Sequence, residues 1–328
     1  MKRNLAHVLT LALALWCAAS SAFAQFKKDV DENGQELPRG GCTLGEPATQ
    51  YWECGFKITA RQSPVVSVNA TVPVPVNWPE QKVKIVEERY SPYAKVTFQK
   101  QHGGSSLMIV KIPSLPAGET AEVVARFECE SFTLLPPDDP SKFQKPDLKK
   151  LPKNLTIYLK PSDKIESRDK SILKLSREVG TDAKNAWAEV EAVYDWVQAN
   201  IKYENGKLKG ALAALQDGTG DCEELSSLFI AICRAKGIPA RIVWVPDHCY
   251  AEFYLVDEDE KGFWFPCQPA GDKAFGQMPF QYVILQKGDN FSIPGDKKKY
   301  RYLPQQIKAK TQGKSQPQCQ EIQQIVTP

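Results

Sequence analysis

The chain has 328 residues, 42% of them hydrophobic, with 42 Lys/Arg against 39 Asp/Glu and a formal charge of +3. Removing Lys2, Arg3 and the seven Lys/Arg and one Glu of residues 297–328 leaves the body at −5. With no basic patch interleaved with aromatics and no zinc-finger spacing, nucleic-acid binding is excluded. A chain this long exceeds one typical core and predicts two domains.

Residues 1–24 read as a targeting segment: Lys2 and Arg3 precede the apolar run Val8–Ala19, and Ala22-Phe23-Ala24 fits a cleavage site. Trp16 before Cys17 fits a lipid-attachment site poorly, and no later run approaches a membrane span. The expectation is an exported, periplasmic or extracellular protein without a transmembrane segment, opening on an N-terminal extension over 25–41.

Residues 42–133 carry strand grammar. "PVVSVNATVPVPV", "QKVKIVEERY", "AKVTFQK", "SLMIVKIP" and "AEVVARFECESF" are short β-branched and aromatic runs separated by Pro and Gly. They predict an Ig-like β-sandwich, in which Pro73, Pro75 and Pro79 confine their region to an edge or irregular strand. Cys42 and Cys54 are a candidate disulfide closing a short loop. Residues 134–153, rich in Pro and charge, read as a linker.

Residues 154–295 predict an α+β domain, with a short strand "NLTIYLK", two amphipathic helices, a helix opening at Cys222, and then a sheet. Trp187, Val190, Tyr194, Val197 and Ile201 recur at helical spacing, which places Trp187 in the core. Asp221 is an N-cap for the third helix, and Gly237-Ile238-Pro239 ends it. Strands "ARIVWV", "HCYAEFYLV", "GFWFPCQ" and "FQYVILQ" follow. The basic segment 296–328 reads as a disordered tail able to touch an anionic envelope surface.

Cys222 has three readings: core filler, half of a disulfide, or nucleophile. A helix N-terminus favours a thiolate, whereas Glu223 and Glu224 oppose one, so activation requires a basic partner. His248 is the one histidine of this domain. Alternation sets His248, Tyr250, Glu252 and Tyr254 on one strand face and Cys249, Ala251, Phe253 and Leu255 on the other. A three-residue turn at 257–259 would place Gln268 opposite His248, able to hold the imidazole, and Cys267 opposite Cys249 as a possible cross-strand disulfide. A longer turn through Lys261-Gly262 would shift that register. A Cys222/His248/Cys267 metal cluster is disfavoured, and no cofactor or metal is expected.

Together, "GDCEELSSLFIAICRAKGIPARIVWV", "HCYAEFYL", "GFWFPCQPAG" and the upstream "AVYDWVQANIKYENG" resemble the transglutaminase-like core of bacterial proteins, over about residues 165–290. The resemblance implies a papain-like fold preceded by the β-sandwich, and a Cys-His-Asp triad. Cys222 matches its nucleophile and His248 its base. The chain departs at the third position, where Gln268 stands for the usual Asp before Pro269; Asp272 is the alternative if its loop folds back. A Gln carbonyl can fix the imidazole tautomer but supplies no negative charge. For the oxyanion, the Cys222 backbone N–H and the Gln216 side chain are candidates.

The expected function is thiol acyl transfer on a protein or peptide substrate, hydrolysis being favoured over cross-linking to an amine. The alternatives are a catalytically inactive binding or structural protein of the envelope, and thiol–disulfide chemistry among Cys222, Cys249 and Cys267.

Overall fold

The structure, a computed structural model, describes residues 41–101, 103–293 and 296–327, all within the compact unit Pro38–Pro328. The targeting segment and all of the N-terminal extension but its last residue lie outside the described residues.

Six strands come first: β1 (Thr43–Thr59), β2 (Val65–Val74), β3 (Gln81–Tyr90), β4 (Lys95–Lys100), β5 (Ser106–Leu115) and β6 (Thr120–Leu135). Helices α1 (Lys170–Glu178) and α2 (Ala186–Asn200) follow, then the short strand β7 (Lys202–Tyr203), helix α3 (Ala211–Asp217) and short strand β8 (Thr219–Gly220). Helix α4 (Cys222–Ala235) leads into β9 (Ala240–Val245), β10 (His248–Val256) and β11 (Gly262–Gln268). Short strands β12 (Ala274–Phe275), β13 (Gln286–Lys287), β14 (Phe291–Ser292) and β15 (Lys299–Tyr300) precede β16 (Gln306–Thr311) and β17 (Gln318–Val326).

Two four-stranded sheets, β17-β1-β6-β3 and β16-β2-β5-β4, enclose a core that includes Phe56, Ile58, Val68, Val72, Met108, Ile112 and Val123. The inward residues alternate along the strands, as a sandwich requires. At Gly55 a Cβ would come within 2.0 Å of the Val123 carbonyl oxygen, and φ is +147°, so the close approach of β1 to β6 demands glycine.

The C-terminal segment corrects the sequence expectation: it is not a disordered tail. β16 pairs with β2 and β17 with β1, so the last residues complete both sheets of the sandwich. Ile307 and Ala309 pack on the core, while β17 is exposed at nearly every position. An outer strand with so little burial keeps a polar composition, which is why it reads as solvated chain. Docking of β17 and β16 covers the β1 and β2 edges, which would otherwise present unpaired backbone groups. Lys308 and Lys310 stand exposed on β16 rather than on a loose tail.

β16 also bears on the prolines. β2 lies inside its sheet, but β16 accompanies it only as far as Thr71, so Pro73 falls where that side of β2 is unpaired. The Cys42–Cys54 disulfide is overturned. β1 runs from the residue after Cys42 through Cys54, an extended separation of roughly 40 Å at ~3.3 Å per residue, and both thiols are free.

In the second half, α4 is buried along most of its length against β9 and β10 of the antiparallel sheet β12-β11-β10-β9-β13. Trp187 is 8% exposed and meets Phe253, Phe265 and Phe275 edge-on at 5.0–5.6 Å. The stretch 154–160 is not a strand. Thr156–Leu159 form a 3₁₀ turn, because Pro152 accepts from Leu155 and Thr156 and the turn buries Tyr158. "FQYVILQ" contributes only its last residue to a strand. Gln81 of β3 accepts the Ile284 N–H (2.6 Å) and donates to its carbonyl (2.9 Å), while Val283 and Leu285 reach into the sandwich core. That segment mortars the two halves together.

A buried ionic chain does the same. Lys287 bridges Glu80, ahead of β3, to Glu252 of β10, and Glu252 accepts from Arg241 Nε at 2.7 Å. The 134–153 connection is also fastened, with Phe143 in the helix–sheet core and Gln144 exchanging backbone hydrogen bonds with Val256 at 2.8 and 2.9 Å.

Candidate active site

The N-terminus of α4 is built by its own sequence. Asp221 Oδ1 accepts the Glu223 N–H at 2.8 Å, and Glu224 Oε2 accepts the Asp221 N–H at 3.2 Å, a capping box. Glu224 Oε1 also takes the backbone N–H groups of Lys209 (2.8 Å) and Gly210 (3.2 Å), so this carboxylate is committed to the loop before α3. Glu223 is committed elsewhere: Arg301 Nε donates to its Oε2 at 3.0 Å, and Arg301 Nη2 donates to Ser227 Oγ at 2.7 Å. The two glutamates that argued against a thiolate are therefore occupied. Sequence inspection had no means of bringing Arg301, 78 residues on, to this helix.

Cys222 occupies the first helical position, half-buried. Three groups act on its sulfur: the Cys249 thiol, the Cys249 backbone N–H and the His248 imidazole. Hydrogen bonding from the Cys249 thiol is the largest influence; with His248 it outweighs burial and lowers the Cys222 pKa to about 4. Burial alone would push His248 down, but the neighbouring sulfur, with help from Gln268, holds it above its ordinary value. Cys249 moves the opposite way, held well up by its bond to Cys222 and by burial, and so stays a donor. The three shifts favour the ionised form of Cys222, the charged ring of His248 and the protonated form of Cys249.

Gln268 is 4% exposed, and its Oε1 lies 3.1 Å from His248 Nε2. Its amide orientation is fixed from both ends: Nε2 donates to the Asp272 carbonyl (3.4 Å) and Oε1 accepts from the Tyr282 hydroxyl (3.4 Å). The Gln268 backbone oxygen accepts from Tyr194 Oη at 3.1 Å, and Tyr194 Oη accepts the Ala274 N–H at 3.0 Å. With Nε2–H given to Gln268, the lone pair of the neutral ring is on Nδ1, available to Cys222.

The register differs from the three-residue turn. Val256 pairs with Gly262, which leaves five residues, 257–261, in the turn, and Cys267 is level with Ala251 rather than Cys249. Asp257 causes this, since its Oδ1 accepts the N–H groups of Asp259 (3.0 Å) and Lys261 (2.9 Å). The shift is two residues, so faces are preserved and Gln268 still points to His248's side. The Cys249–Cys267 disulfide is lost to it, and both thiols are free.

Asp272 is exposed and meets Gln268 through its backbone oxygen, not its carboxylate. Gln216 is exposed near the end of α3, with no contact among the described residues that joins it to Cys222. The Cys222 N–H has no acceptor among the described residues and remains an oxyanion candidate. Among the described residues no three His, Cys, Asp or Glu side chains group as a metal site.

Sequence reasoning missed Tyr282 and Arg301, and set Cys249 against Cys267 rather than beside Cys222. The Tyr282 ring lies 5.9 Å from the His248 ring and caps the pair on the sandwich side. At the other side, pairing of β7 with β8 sets Tyr203 level with Gly220, two residues before Cys222. Tyr203 and Leu208 are exposed apolar side chains there, 51% and 41% accessible.

Residues 173–269 match the family model of the transglutaminase-like superfamily, a span that contains Cys222, His248 and Gln268. No curated protein matches the chain. Among solved structures, a candidate cysteine protease from Cytophaga hutchinsonii shares the fold, with a TM-score of 0.52 at 17% identity over 82% of this chain and 93% of that one. The periplasmic domain of TgpA from Pseudomonas aeruginosa, bound to ethylmercury, aligns at 13% identity over 70% of this chain and 91% of that one, with a TM-score of 0.33. A candidate protease from Parabacteroides distasonis aligns at 12% identity over 71% and 48%, with a TM-score of 0.27.

Proposed function

We propose that the chain is an exported thiol acyl-transfer enzyme acting on peptide or amide bonds, with Cys222 as nucleophile, His248 as acid and base, and Gln268 as the residue that orients the imidazole. The observation that carries this is the contact of Cys222 with His248 at a capped helix start, with His248 Nε2 held 3.1 Å from Gln268. The thiolate attacks the carbonyl carbon, and the Cys222 N–H donates to the developing oxyanion. His248 gives its proton to the departing amine as the C–N bond breaks, leaving an acyl-enzyme. The neutral imidazole then takes a proton from water, which attacks the thioester and frees Cys222.

Gln268 replaces an anion with a neutral acceptor. The thiolate supplies the counter-charge for the imidazolium in the resting state, but it is consumed on acylation, so deacylation is the step that feels the missing carboxylate. Water is the proposed acceptor because no separate amine-binding site is evident among the described residues; Tyr203 and Leu208 offer an apolar lip for a peptide chain. Export rests on the N-terminal pattern. Among the described residues no helix is long and apolar enough to cross a membrane.

The test is turnover of a denatured-protein and peptide panel by the full chain beside Cys222→Ala. New amine and carboxyl termini lost in Cys222→Ala are expected; isopeptide products with ammonia release would replace hydrolysis by cross-linking. The neutral Gln268 favours one other reading, a binding module of the same fold. Wild type and Cys222→Ala behaving identically in every assay would establish that instead.

A further inference from the structure

The Cys222 sulfur has a second thiol beside it, which acyl transfer uses only as a hydrogen-bond donor. Cys249 follows the base directly in β10 and is 1% exposed in the helix–sheet core against which Cys222 packs, and its side chain and backbone N–H both bear on the Cys222 sulfur. Both partners are rigidly mounted: Cys222 on the capping box of α4, Cys249 on a strand hydrogen-bonded between β9 and β11. The other thiols of β11 and α4 are set apart from this pair. Cys267 is level with Ala251, and Cys233 lies eleven residues along α4 from Cys222, about 16 Å at ~1.5 Å per residue.

We propose that Cys222 and Cys249 are a redox-active dithiol that hydroperoxides close to a disulfide. The inference shares with the proposed function only the thiolate state of Cys222. In the first step the thiolate attacks the terminal peroxide oxygen, an S–O bond forms and the O–O bond breaks. The leaving hydroxide or alkoxide takes the His248 proton, and Cys222 becomes a sulfenic acid. In the second step Cys249 gives its proton to the now neutral His248 and attacks the Cys222 sulfur. The S–S bond forms, the S–O bond breaks, and hydroxide departs as water with the proton from His248. Two thiols are oxidised and one peroxide is reduced to water and water or an alcohol. Burial makes Cys249 specific, since an external thiol cannot reach it, and its proximity intercepts the sulfenic acid before further oxidation. While closed, the pair withholds the nucleophile and acyl transfer stops.

The experiment uses the reduced full chain, treated with hydrogen peroxide, alkylated and mapped by mass spectrometry without reductant. The expected product is a peptide pair joined through Cys222 and Cys249, lighter by two hydrogens and reversed by dithiothreitol. In Cys249→Ser, Cys222 should pass on to the sulfinic acid, which dithiothreitol does not restore. Wild-type Cys222 reaching sulfinic acid while Cys249 stays alkylatable after denaturation would overturn the inference. Alkylation of untreated protein at about pH 6 separates the two claims. Fast Cys222 labelling without disulfide formation removes this inference and leaves acyl transfer standing; a disulfide without any peptide turnover does the reverse.

Discussion

His248 Nε2 meets Gln268 Oε1 at 3.1 Å although the β10–β11 register, extended from Ala251 and Cys267, places Gln268 level with Tyr250. The contact is diagonal, across two positions on one sheet face, a distance long side chains span. An Asp at 268 would be one methylene shorter. The extra length of Gln268 suits the offset.

Gln268→Ala should free the imidazole and lower kcat by about 10²-fold, the cost of mis-setting a reacting group by about 1 Å. Gln268→Glu keeps the length and adds a charge beside Nε2. It should raise the His248 pKa and move the alkaline limb of the rate profile upward. Steady-state kinetics against pH check both, and an unchanged limb in Gln268→Glu would deny the contact its role.

The wild-type pH profile follows from the two shifted groups. Acylation needs Cys222 deprotonated and His248 protonated, so the rate should rise through about 4. It should fall only as His248 loses its proton, above the ordinary value of ~6.5, since the folded pKa is raised. A profile that rises through about 8.5 would belong to an unassisted thiol.

Arg301 supports the site from the C-terminal segment, where it bonds Glu223 and Ser227 and lies 5.3 Å from the Trp244 ring centroid. Arg301→Gln removes the charge facing Glu223. A stability loss of about 1–3 kcal/mol is expected for losing hydrogen bonds of a charged group. The freed carboxylate should also raise the Cys222 pKa, so alkylation at acid pH slows more than Tm falls would explain. Thermal unfolding and thiol titration on one sample check this.

Lys287→Met leaves Glu80 and Glu252 facing each other in the interior between the two halves. Breaking such a buried pair costs about 3–5 kcal/mol. Burial raises the Glu252 pKa, but Arg241 and Lys287 more than offset it and hold the carboxyl below its ordinary value. Its stabilisation is therefore present above the ordinary carboxylate pKa and is lost as pH falls through the lower folded value. In Lys287→Met the acid-unfolding midpoint should move to higher pH, and adding Glu80→Gln should restore part of the stability.

Much of this was legible in the residues. Five strands of the sandwich were legible as β-branched and aromatic runs between Pro and Gly, and Asp221 and Gly237 bounded α4 as their types dictate. Cys222 and His248 could be paired because the domain offers one histidine. What stayed hidden depends on contacts far apart in sequence. β17 is nearly all exposed, so nothing in its composition marks a strand until β1 offers its edge. Val283, Ile284 and Leu285 read as a strand, yet they are buried between the sandwich and the helix–sheet half, where Gln81 supplies the bonds a neighbouring strand would. Cys249 looked like a cross-strand partner of Cys267 because the Asp257 side chain, which lengthens the turn, is invisible to strand counting.

Deleting residues 304–328 should expose both sheet edges that β16 and β17 cover. The expected result is a Tm lower by roughly 5 °C or more and concentration-dependent association. Scanning calorimetry and sedimentation check it; an unaltered, monomeric protein would show that the last two strands contribute nothing to the sandwich.

The decisive measurement is the alkylation rate of Cys222 against pH, on the full chain and on His248→Ala, with the labelled residue identified by mass spectrometry. The thiolate–imidazolium pair predicts fast labelling at about pH 6 that changes little to about pH 8, and a loss of that acid-side rate in His248→Ala. Labelling of wild type that begins only above about pH 8, or that His248→Ala leaves unaltered, would contradict the pair and with it the nucleophile.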